Sequence, residues 1–221
     1  DVIKRENPDY LAVCFDKGGS QDRVEIFSDY KANRDETPEA IKIAVPYIEQ
    51  ILKSLNIPVI VKKGYEADDI IGTLSKKAEL EGYQTFMVTP DKDFAQLVSE
   101  NIFMYKPMFG GGYEIWGVDE VKNKFEVSDP IQVIDFLGMK GDAADNIPGL
   151  PGVGDKTAKK FIAEYGRMEE LLANTEKLKG KLDGYSSIRL DRKYRLIFRE
   201  VYFDYQLNNL KYLEIIDKKN K

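Results

Sequence analysis

Short apolar runs alternate with amphipathic stretches along the first half of the chain. Four of the runs have the composition of buried strands: YLAVCFD (10–16), IPVIV (57–61), TFMVTPD (85–91) and NIFMYKP (101–107). Helical spacing separates them over residues 38–55 and 65–83, the second stretch with Gly82 as its stop signal. This alternation predicts an α/β fold with a mostly parallel sheet flanked by helices. In such a sheet the ligand site lies beyond the carboxyl ends of the strands.

The pattern changes along the rest of the chain. Residues 17–40 are polar and charged, which is typical of a long loop or a helical segment, and DKDFAQLVS starts a short helix. Residues 118–172 have a helical pattern interrupted by a glycine-rich hairpin, and strand-like patterns follow beyond residue 180. We therefore predict an α/β core over 1–117, a helical region over 118–179 and a short β-rich tail over 180–221.

The residue types that are missing limit the chemistry. None of the 221 residues is a histidine, which excludes His general bases and Ser-His or Cys-His nucleophile pairs. The lone Cys14 excludes an internal disulfide and a cysteine-based zinc site, as expected for a reducing, cytoplasmic setting. No apolar run approaches the roughly 20 residues that span a bilayer, so no membrane is expected among the partners.

Carboxylates stand at the expected ends of several elements. Taken singly, each can be a helix cap, a first-turn acid that complements the helix dipole, or an ordinary loop acid. Taken together, they would repel one another unless cations neutralised them, and oxygen-only ligands select hard ions such as Mg²⁺ or Mn²⁺. Two such ions about 4 Å apart would support phosphodiester hydrolysis. The candidate ligands are Asp16, Glu66, Asp68, Asp69, Asp91, Asp93, Asp142 and Asp145.

The net charge of −5 argues against a simple basic nucleic-acid binder. Without these eight acids, however, the net charge becomes +3. The remainder of the chain is therefore mildly basic.

GLPGVGDKTAKKFIAEYG has the form of a helix-hairpin-helix that begins its second helix near Asp155. Its glycines allow a tight turn whose backbone N–H groups can approach a phosphate, and its lysines crowd the first two helical turns against the helix dipole. The alternative is a glycine-rich turn before a solvated helix. The candidate residues for sequence-independent contacts to a nucleic-acid backbone are Gly149, Gly152, Gly154, Lys156, Thr157, Lys159 and Lys160.

A second basic and aromatic patch lies upstream, in FSDYKANRDETPE. Tyr30 can stack on an unpaired base, while Lys31 and Arg34, with Arg23 before them, can steer a phosphate toward the metal ions. A solvated loop is the alternative.

These segments together resemble a known family. FDKGGS…YKANRDETPE, GYEADDIIGTL, TPDKDFAQLV and GDAADNIPGLPGVGDKTAKKFIAEYG occur in the order found in the 5′-nuclease domain of bacterial DNA polymerase I. Phage 5′-nucleases and flap endonucleases are wider relatives. The resemblance covers about residues 1–180 and implies a PIN-like fold with a helical arch and a helix-hairpin-helix. It also implies 5′→3′ exonuclease and structure-specific 5′-flap cleavage on nicked or gapped DNA, and removal of RNA primers from DNA.

The resemblance also implies roles for individual residues. The first metal would be held by Asp16, Glu66, Asp68 and Asp69, the second by Asp93, Asp142 and Asp145, with Asp91 close to both. Tyr30, Lys31 and Arg34 match the arch motif, in which the lysine assists at the scissile phosphate. The hairpin glycines and Lys156 match the segment that grips the downstream duplex, where K⁺ often binds. A polymerase domain in the full-length parent is the implied partner.

Two departures from the family pattern raise further expectations. The family begins with a strand carrying an Asp-x-Gly motif, and this chain starts after it, so a metal site with one acid fewer and a sheet without its first strand are expected. In the tail, SIRL–KYRLIF–EIID resembles the C-terminal strands of RelE-type ribonuclease toxins. The alternatives to an active nuclease are thus a catalytically impaired DNA-binding fragment and, more remotely, a toxin-like ribonuclease acting through Arg189, Arg192 and Arg195.

Overall fold

The computed structural model describes residues 2–174, 176–177, 186–189, 194–205 and 208–220. Eight α-helices occur in this part of the chain: α1 (Val2–Glu6), α2 (Gln21–Ile26), α3 (Glu39–Ser54), α4 (Ala67–Leu80), α5 (Val118–Phe125), α6 (Val133–Lys140), α7 (Asp155–Tyr165) and α8 (Met168–Ala173). Two short 3₁₀ helices cover Lys92–Leu97 and Pro130–Gln132. None of these helices is long and apolar enough to cross a membrane.

The strands form several small sheets. Two parallel pairs are β1 (Val13–Cys14) with β2 (Val59–Ile60) and β3 (Thr85–Val88) with β4 (Ile102–Pro107), and β5 (Tyr113–Trp116) adds to the free edge of β4. A two-residue antiparallel pair joins β6 (Gly141–Asp142) to β7 (Ile147–Pro148). The parallel strand pairs and the surrounding helices confirm the predicted α/β class.

Helix α4 shows how closely local sequence signals can define an element. It begins after Glu66, whose backbone N–H donates to Asp69 Oδ2 over 2.9 Å. It ends at Leu80, and Gly82, two residues later, adopts φ +84. The N–H groups of Gly82 and Tyr83 donate to carbonyls of the last turn over 3.0 and 2.9 Å, as in a Schellman motif. The predicted glycine stop is confirmed.

Two of the predicted strands are much shorter than their apolar runs. Of residues 10–16 only β1 is extended in a ladder, and of residues 57–61 only β2. Tyr10, at the start of the first run, is exposed. The run length overestimates these strands because a strand extends only as far as its hydrogen-bonded partner.

The predicted helix over 38–55 is confirmed as α3, but its apolar side is not covered by described residues. Ile41, Ile48, Ile51 and Leu55 are 42–60% exposed. Helical periodicity therefore identified the helix, while the extent of burial depends on which other elements pack against it.

The chain forms two compact units that interleave along the sequence. Unit 1 comprises Asp1–Pro90, Glu100–Ile115 and Ala144–Asn146, and its core includes Ile70, Met87, Ile102 and Met104. Unit 2 comprises Asp91–Ser99, Trp116–Ala143 and Ile147–Lys221, and its core includes Phe94, Val121, Phe136, Phe161 and Ile162. The domain boundaries drawn from the sequence at 117/118 and 179/180 remain predictions.

The tail contains the predicted β-structure. Antiparallel strands β8 (Glu176–Lys177), β9 (Ser186–Arg189), β10 (Tyr194–Tyr205) and β11 (Asn208–Asn220) form one sheet in the order β11-β10-β9-β8. Arg192, named above for a toxin-like site, lies outside the described residues, as do the side chains of Arg189 and Arg195.

Candidate functional site

The amino-terminal end of α4 brings carboxylates of unit 1 together. Glu66 precedes the helix and is only 5% exposed. Asp16, which follows β1, accepts a hydrogen bond from the N–H of Ala67, the first helical residue. Asp69 lies one turn into the helix, and Asp68 beside it is exposed. These positions place negative charge where the helix dipole is positive, and Asp16 reaches the same helix end through the Ala67 N–H.

Basic side chains from the polar segment after β1 contact the same carboxylates. Arg23 in α2 donates to both oxygens of Asp69 over 2.9 and 2.6 Å, in a bidentate pair. Lys31 Nζ lies 2.8 Å from Glu66 Oε2, and Tyr30 OH donates to the same oxygen over 3.1 Å. The predicted basic and aromatic patch therefore lies against the predicted metal ligands of unit 1.

Asp145 joins this group from a distant part of the chain. Its carboxylate pairs with Arg34 and accepts from Tyr30 OH over 3.3 Å, and its backbone carbonyl accepts from the Lys31 N–H over 2.9 Å. Asn146 next to it donates to the Asp29 carbonyl over 2.8 Å. The sequence predicted Asp145 and the basic and aromatic patch as site components, but not that they contact one another; Asn146 and Asp29 were not among the predicted residues.

Ion pairing and burial shift several pKa values in unit 1. The hydrogen bond from Arg23 holds the pKa of Asp69 below its usual range, and the same contact raises the pKa of Arg23. Burial raises the pKa of Tyr30 to about 12. For Lys31, burial acts to lower the pKa, but hydrogen bonds to Glu66 and Tyr30 outweigh it, and the net shift is upward. Tyr30 is thus neutral and Lys31 cationic at neutral pH.

A second carboxylate group belongs to unit 2. Asp91 caps the 3₁₀ helix Lys92–Leu97 by accepting from the Asp93 N–H over 3.0 Å. Lys92 Nζ lies 2.5 Å from Asp142 Oδ2 and 3.5 Å from Asp93 Oδ1. Sequence reasoning missed Lys92, although its position between two candidate ligands was a usable signal.

Asp93 stands out in this second group. Its Oδ1 is buried and accepts no hydrogen bond from any described residue. Burial, and then the charge of Asp91, raise the pKa of Asp93, because both disfavour its ionised form. A buried carboxylate oxygen that accepts no hydrogen bond, although Lys92 Nζ lies 3.5 Å away, fits a hard cation as a further partner.

The eight predicted ligands are therefore divided between the two units. Asp16, Glu66, Asp68, Asp69 and Asp145 belong to unit 1, whereas Asp91, Asp93 and Asp142 belong to unit 2. Within the described part of the chain, no three acidic or cysteine side chains are placed to hold one metal ion. The chemistry of the donors nevertheless fits Mg²⁺ or Mn²⁺, since every candidate is a carboxylate oxygen.

The predicted hairpin lies between α6 and α7 in unit 2. Gly152 adopts φ +79 in the turn, and Gly154 precedes α7 at its N-terminal cap. A Cβ atom at Gly149 would lie 2.2 Å from the Lys140 carbonyl group, and one at Gly141 would lie 2.2 Å from Gly149 N. The close approach of two backbone segments therefore requires Gly149, and sequence reasoning missed its partner Gly141.

The hairpin lysines differ in their surroundings. Lys156 and Lys160 are exposed near the start of α7, and Thr157 between them is partly exposed. Lys159 pairs with Glu126 over 2.9 Å and with Asp155 over 3.1 Å, and Asp155 also pairs with Lys140. The ion pair with Lys159, and then that with Lys140, lowers the pKa of Asp155. Lys159 thus already has carboxylate partners inside unit 2.

Two family models match the chain. One describes the N-terminal resolvase-like domain of 5′-3′ exonucleases and matches residues 1–126. The other describes the C-terminal SAM fold of 5′-3′ exonucleases and matches residues 128–217. The second match continues through the segment that resembles toxin strands.

Individual proteins are similar over most of the chain. A 5′-3′ exonuclease of Aquifex aeolicus is 39% identical over 196 residues, which are 89% of this chain and 66% of that protein. A DNA polymerase I of Caldicellulosiruptor bescii is 38% identical over 183 residues, or 81% of this chain and 21% of that protein. The chain thus spans just under two thirds of the first relative and about a fifth of the second.

A solved structure has a similar fold. The T5 D15 protein co-crystallized with metal ions superposes with a TM-score of 0.66 and 25% identity, covering 81% of this chain and 70% of that one.

Proposed function

The chain belongs to the 5′-3′ exonuclease family, and on that premise we propose that it is a metal-dependent nuclease with 5′→3′ exonuclease and 5′-flap endonuclease activity. The reaction adds water across a phosphodiester and breaks the bond to the 3′ oxygen, which leaves a 3′-hydroxyl on the released 5′ fragment and a 5′-phosphate on the strand that remains. The observation that carries this proposal is the cluster at the start of α4, where Arg23, Tyr30 and Lys31 contact Glu66 and Asp69. It combines ligands for a hard cation with groups that recognise a phosphate.

The carboxylates would hold the ions. In unit 1, Asp16, Glu66, Asp68 and Asp69 would serve one divalent ion; in unit 2, Asp91, Asp93 and Asp142 would serve another. When bound, Mg²⁺ or Mn²⁺ supplies Lewis acidity that acidifies the attacking water and neutralises charge on the leaving oxygen. The assignment of Asp145 to the second ion stays a prediction.

The basic side chains of unit 1 would bind the scissile phosphate. Lys31 remains cationic at neutral pH because its pKa is raised, so it can neutralise a phosphate oxygen as negative charge develops. Arg34 offers a planar fork that suits phosphate, and Tyr30 offers a neutral hydroxyl and a ring for stacking. On phosphate binding, Lys31 and Arg34 would exchange carboxylate partners for the substrate.

The hairpin of unit 2 would bind the duplex away from the scissile bond. The N–H groups at the start of α7 and the exposed Lys156 and Lys160 favour phosphate without reading bases. Carbonyl groups of the glycine turn are suitable ligands for K⁺. Because these groups would contact the phosphate backbone, we expect DNA binding that is independent of the DNA sequence and weakened by salt.

The similar proteins suggest a parent protein and a class of substrate for this chain. Because one relative is a DNA polymerase I, we propose that the parent protein carries a polymerase domain and that its substrates are 5′-flap, nicked or gapped DNA and RNA primers on DNA. The lone Cys14 suits the reducing cytoplasm as the place of action.

The decisive experiment is cleavage of a labelled 5′-flap DNA by the purified chain with Mg²⁺ or Mn²⁺. We expect cleavage that EDTA abolishes and that Asp91→Ala and Asp142→Ala each reduce strongly. Asp119→Ala, at an exposed first-turn acid of α5, is the matched control and should cleave normally.

Cleavage that is absent, or equal in all variants, would contradict the proposed activity. Salt-sensitive binding without cleavage, weakened by Lys156→Ala, would instead indicate a DNA-binding fragment. Metal-independent cleavage of RNA would indicate a toxin-like ribonuclease.

A further inference from the structure

The hairpin between β4 and β5 presents one aromatic side chain fully to solvent. Phe109 is 109% exposed relative to the reference state, more than any other large apolar residue in the described part of the chain. Met108 beside it is 46% exposed. Both belong to unit 1, and neither is a candidate ligand or phosphate contact discussed above. Single exposed apolar residues are common on protein surfaces, so exposure alone does not mark Phe109 as an interaction site; the geometry and position of its hairpin do.

Three consecutive glycines follow Phe109 and shape the tip. Gly110, Gly111 and Gly112 have φ of +89, +103 and +87, a region that side chains disfavour. The turn is closed by hydrogen bonds from Met108 N–H to the Gly112 carbonyl and from Gly111 N–H to the Met108 carbonyl, both 3.1 Å. No atom beyond the chain neighbours lies within 4 Å of where their Cβ atoms would be. The glycine tip is therefore open, and the full exposure of Phe109 shows that no described residue covers its ring.

The base of the same hairpin is firmly held. The rings of Tyr105 in β4 and Tyr113 in β5 stack with centroids 4.5 Å apart and an interplanar angle of 9°. The guanidinium of Arg5 in α1 lies 4.2 Å from the Tyr113 centroid. Because the base is braced, the tip is presented in a preorganised position, which reduces the entropy lost on binding.

The direction of β4 places the tip at the end of unit 1 where the α4 carboxylates lie. Helix α4 leads through a short connection into β3 and packs on it, so the two run antiparallel. Strand β4 is parallel to β3, with Val88 paired to Tyr105. The carboxyl end of β4, and the tip beyond it, therefore lie toward the start of α4, where Asp16 accepts from the Ala67 N–H and Glu66 precedes the helix. Ligands of parallel sheets bind at this edge.

We propose that Phe109 is a substrate-positioning residue that stacks on an unpaired base of the DNA. This inference rests on the proposed nuclease function and deepens it. Stacking suits a single exposed ring with an open face, and it tolerates any base because every base has a π-face. A protein partner would favour a ring surrounded by side chains that exclude water, and the glycine tip offers none.

The test compares Phe109→Ala and Phe109→Trp with the wild type, using labelled 5′-flap DNA and a fully paired duplex in low salt with Ca²⁺ in place of Mg²⁺. We expect Phe109→Ala to weaken binding of the flap DNA about tenfold and to leave duplex binding unchanged, while Phe109→Trp retains binding. The indole of Phe109→Trp should also lose fluorescence when single-stranded DNA is added, beyond any change of wild-type Trp116. Leu80→Ala, at an apolar residue 88% exposed at the end of α4, is the matched control and should bind normally.

Several results would overturn this inference. If the wild type cleaves flap DNA and Phe109→Ala binds it equally well, the inference fails while the proposed function stands. If Phe109→Ala reduces self-association of the chain and not DNA binding, the tip is a protein contact. If the wild type neither binds nor cleaves DNA, both proposals fail.

Discussion

Lys31 makes tertiary contacts through both its side chain and its backbone. Its ammonium pairs with Glu66, its N–H donates to the Asp145 carbonyl, and its φ of +57 is in the left-handed region. A non-glycine residue in this region is unusual, and here tertiary contacts on both sides hold it. The position of the ammonium is therefore well defined, as a group that acts on a phosphate requires.

Replacing Lys31 by methionine should affect turnover more than binding. A positioned cation stabilises charge that develops in the transition state, and losing one such group costs about a hundredfold or more in rate. Single-turnover cleavage of flap DNA at saturating enzyme measures this loss directly. Lys53→Met, at an exposed lysine in α3, is the control. Equal turnover in both variants would remove Lys31 from the proposed machinery.

Asp93 should lower the stability of the metal-free protein at neutral pH. Its folded pKa is raised by burial, so the folded state resists its ionisation. The folded state therefore holds the Asp93 proton to a higher pH than the unfolded state does. As the pH rises from about 4 through the raised pKa, the contribution of Asp93 to the free energy of unfolding falls. In EDTA at pH 7, Asp93→Asn should therefore raise Tm relative to the wild type.

This stability difference should shrink as the pH falls below about 4, the ordinary carboxyl pKa, because Asp93 is then protonated in both states, and Mg²⁺ should stabilise the wild type more than Asp93→Asn. Asp119→Asn, at an exposed acid, should show neither effect. Thermal melts by circular dichroism supply the readout. A lower Tm for Asp93→Asn in EDTA at pH 7 would contradict this account.

At the scale of elements, the hairpin between α6 and α7 is defined by backbone packing as well as by its turn. The N–H of Leu150 donates to the Met139 carbonyl over 2.8 Å, which ties the turn to the end of α6. Gly149 and Gly141 lie so close that neither tolerates a Cβ atom. The hairpin thus combines Gly149, which backbone packing requires, with Gly154, which precedes α7.

Gly149→Ala should destabilise the protein by about 1–3 kcal/mol, because the new methyl group would meet the Lys140 carbonyl and the backbone would have to shift. Gly154→Ser is the contrasting variant, since its Cβ meets open space and serine is a good N-terminal cap. Chemical denaturation measures the free energy of unfolding of both variants, and equal m-values make the two free energies comparable. Equal stability of the two variants would show that the close approach is easily relieved.

At the scale of the whole molecule, charge determines when DNA can bind. The chain has a net charge of −5, and it becomes +3 without the eight candidate ligands. Two divalent ions bound at those carboxylates would add four positive charges and bring −5 to −1, so they would remove most of the net repulsion between the protein and DNA.

We expect DNA affinity to rise severalfold when Ca²⁺ replaces NaCl at equal ionic strength, and to fall with added salt as phosphate contacts are screened. Fluorescence anisotropy of a labelled gapped duplex measures both trends. Affinity that is independent of divalent ions at constant ionic strength would argue that the acids do not bind them.

The helices and strands that depend only on neighbouring residues could be predicted from the sequence. Helix α4 with its glycine stop, helix α3, strands β3 and β4 and the start of α7 follow from hydrophobic period and capping residues, which act over a few positions. The acids at strand and helix ends were found for the same reason. Matching motifs in their order were enough to indicate the family.

How those parts meet depends on contacts between distant segments. Arg34 and Asp145 are 111 residues apart in the chain, and no local pattern signals their ion pair. No local pattern signals the close approach of Gly149 to Gly141 or the exposed side of α3 either. The two-residue lengths of β1 and β2 and the direction of the Phe109 hairpin are likewise not visible in the local sequence. Short-range propensities identify elements, whereas pairing, burial and direction depend on contacts between distant segments that only the folded chain brings together.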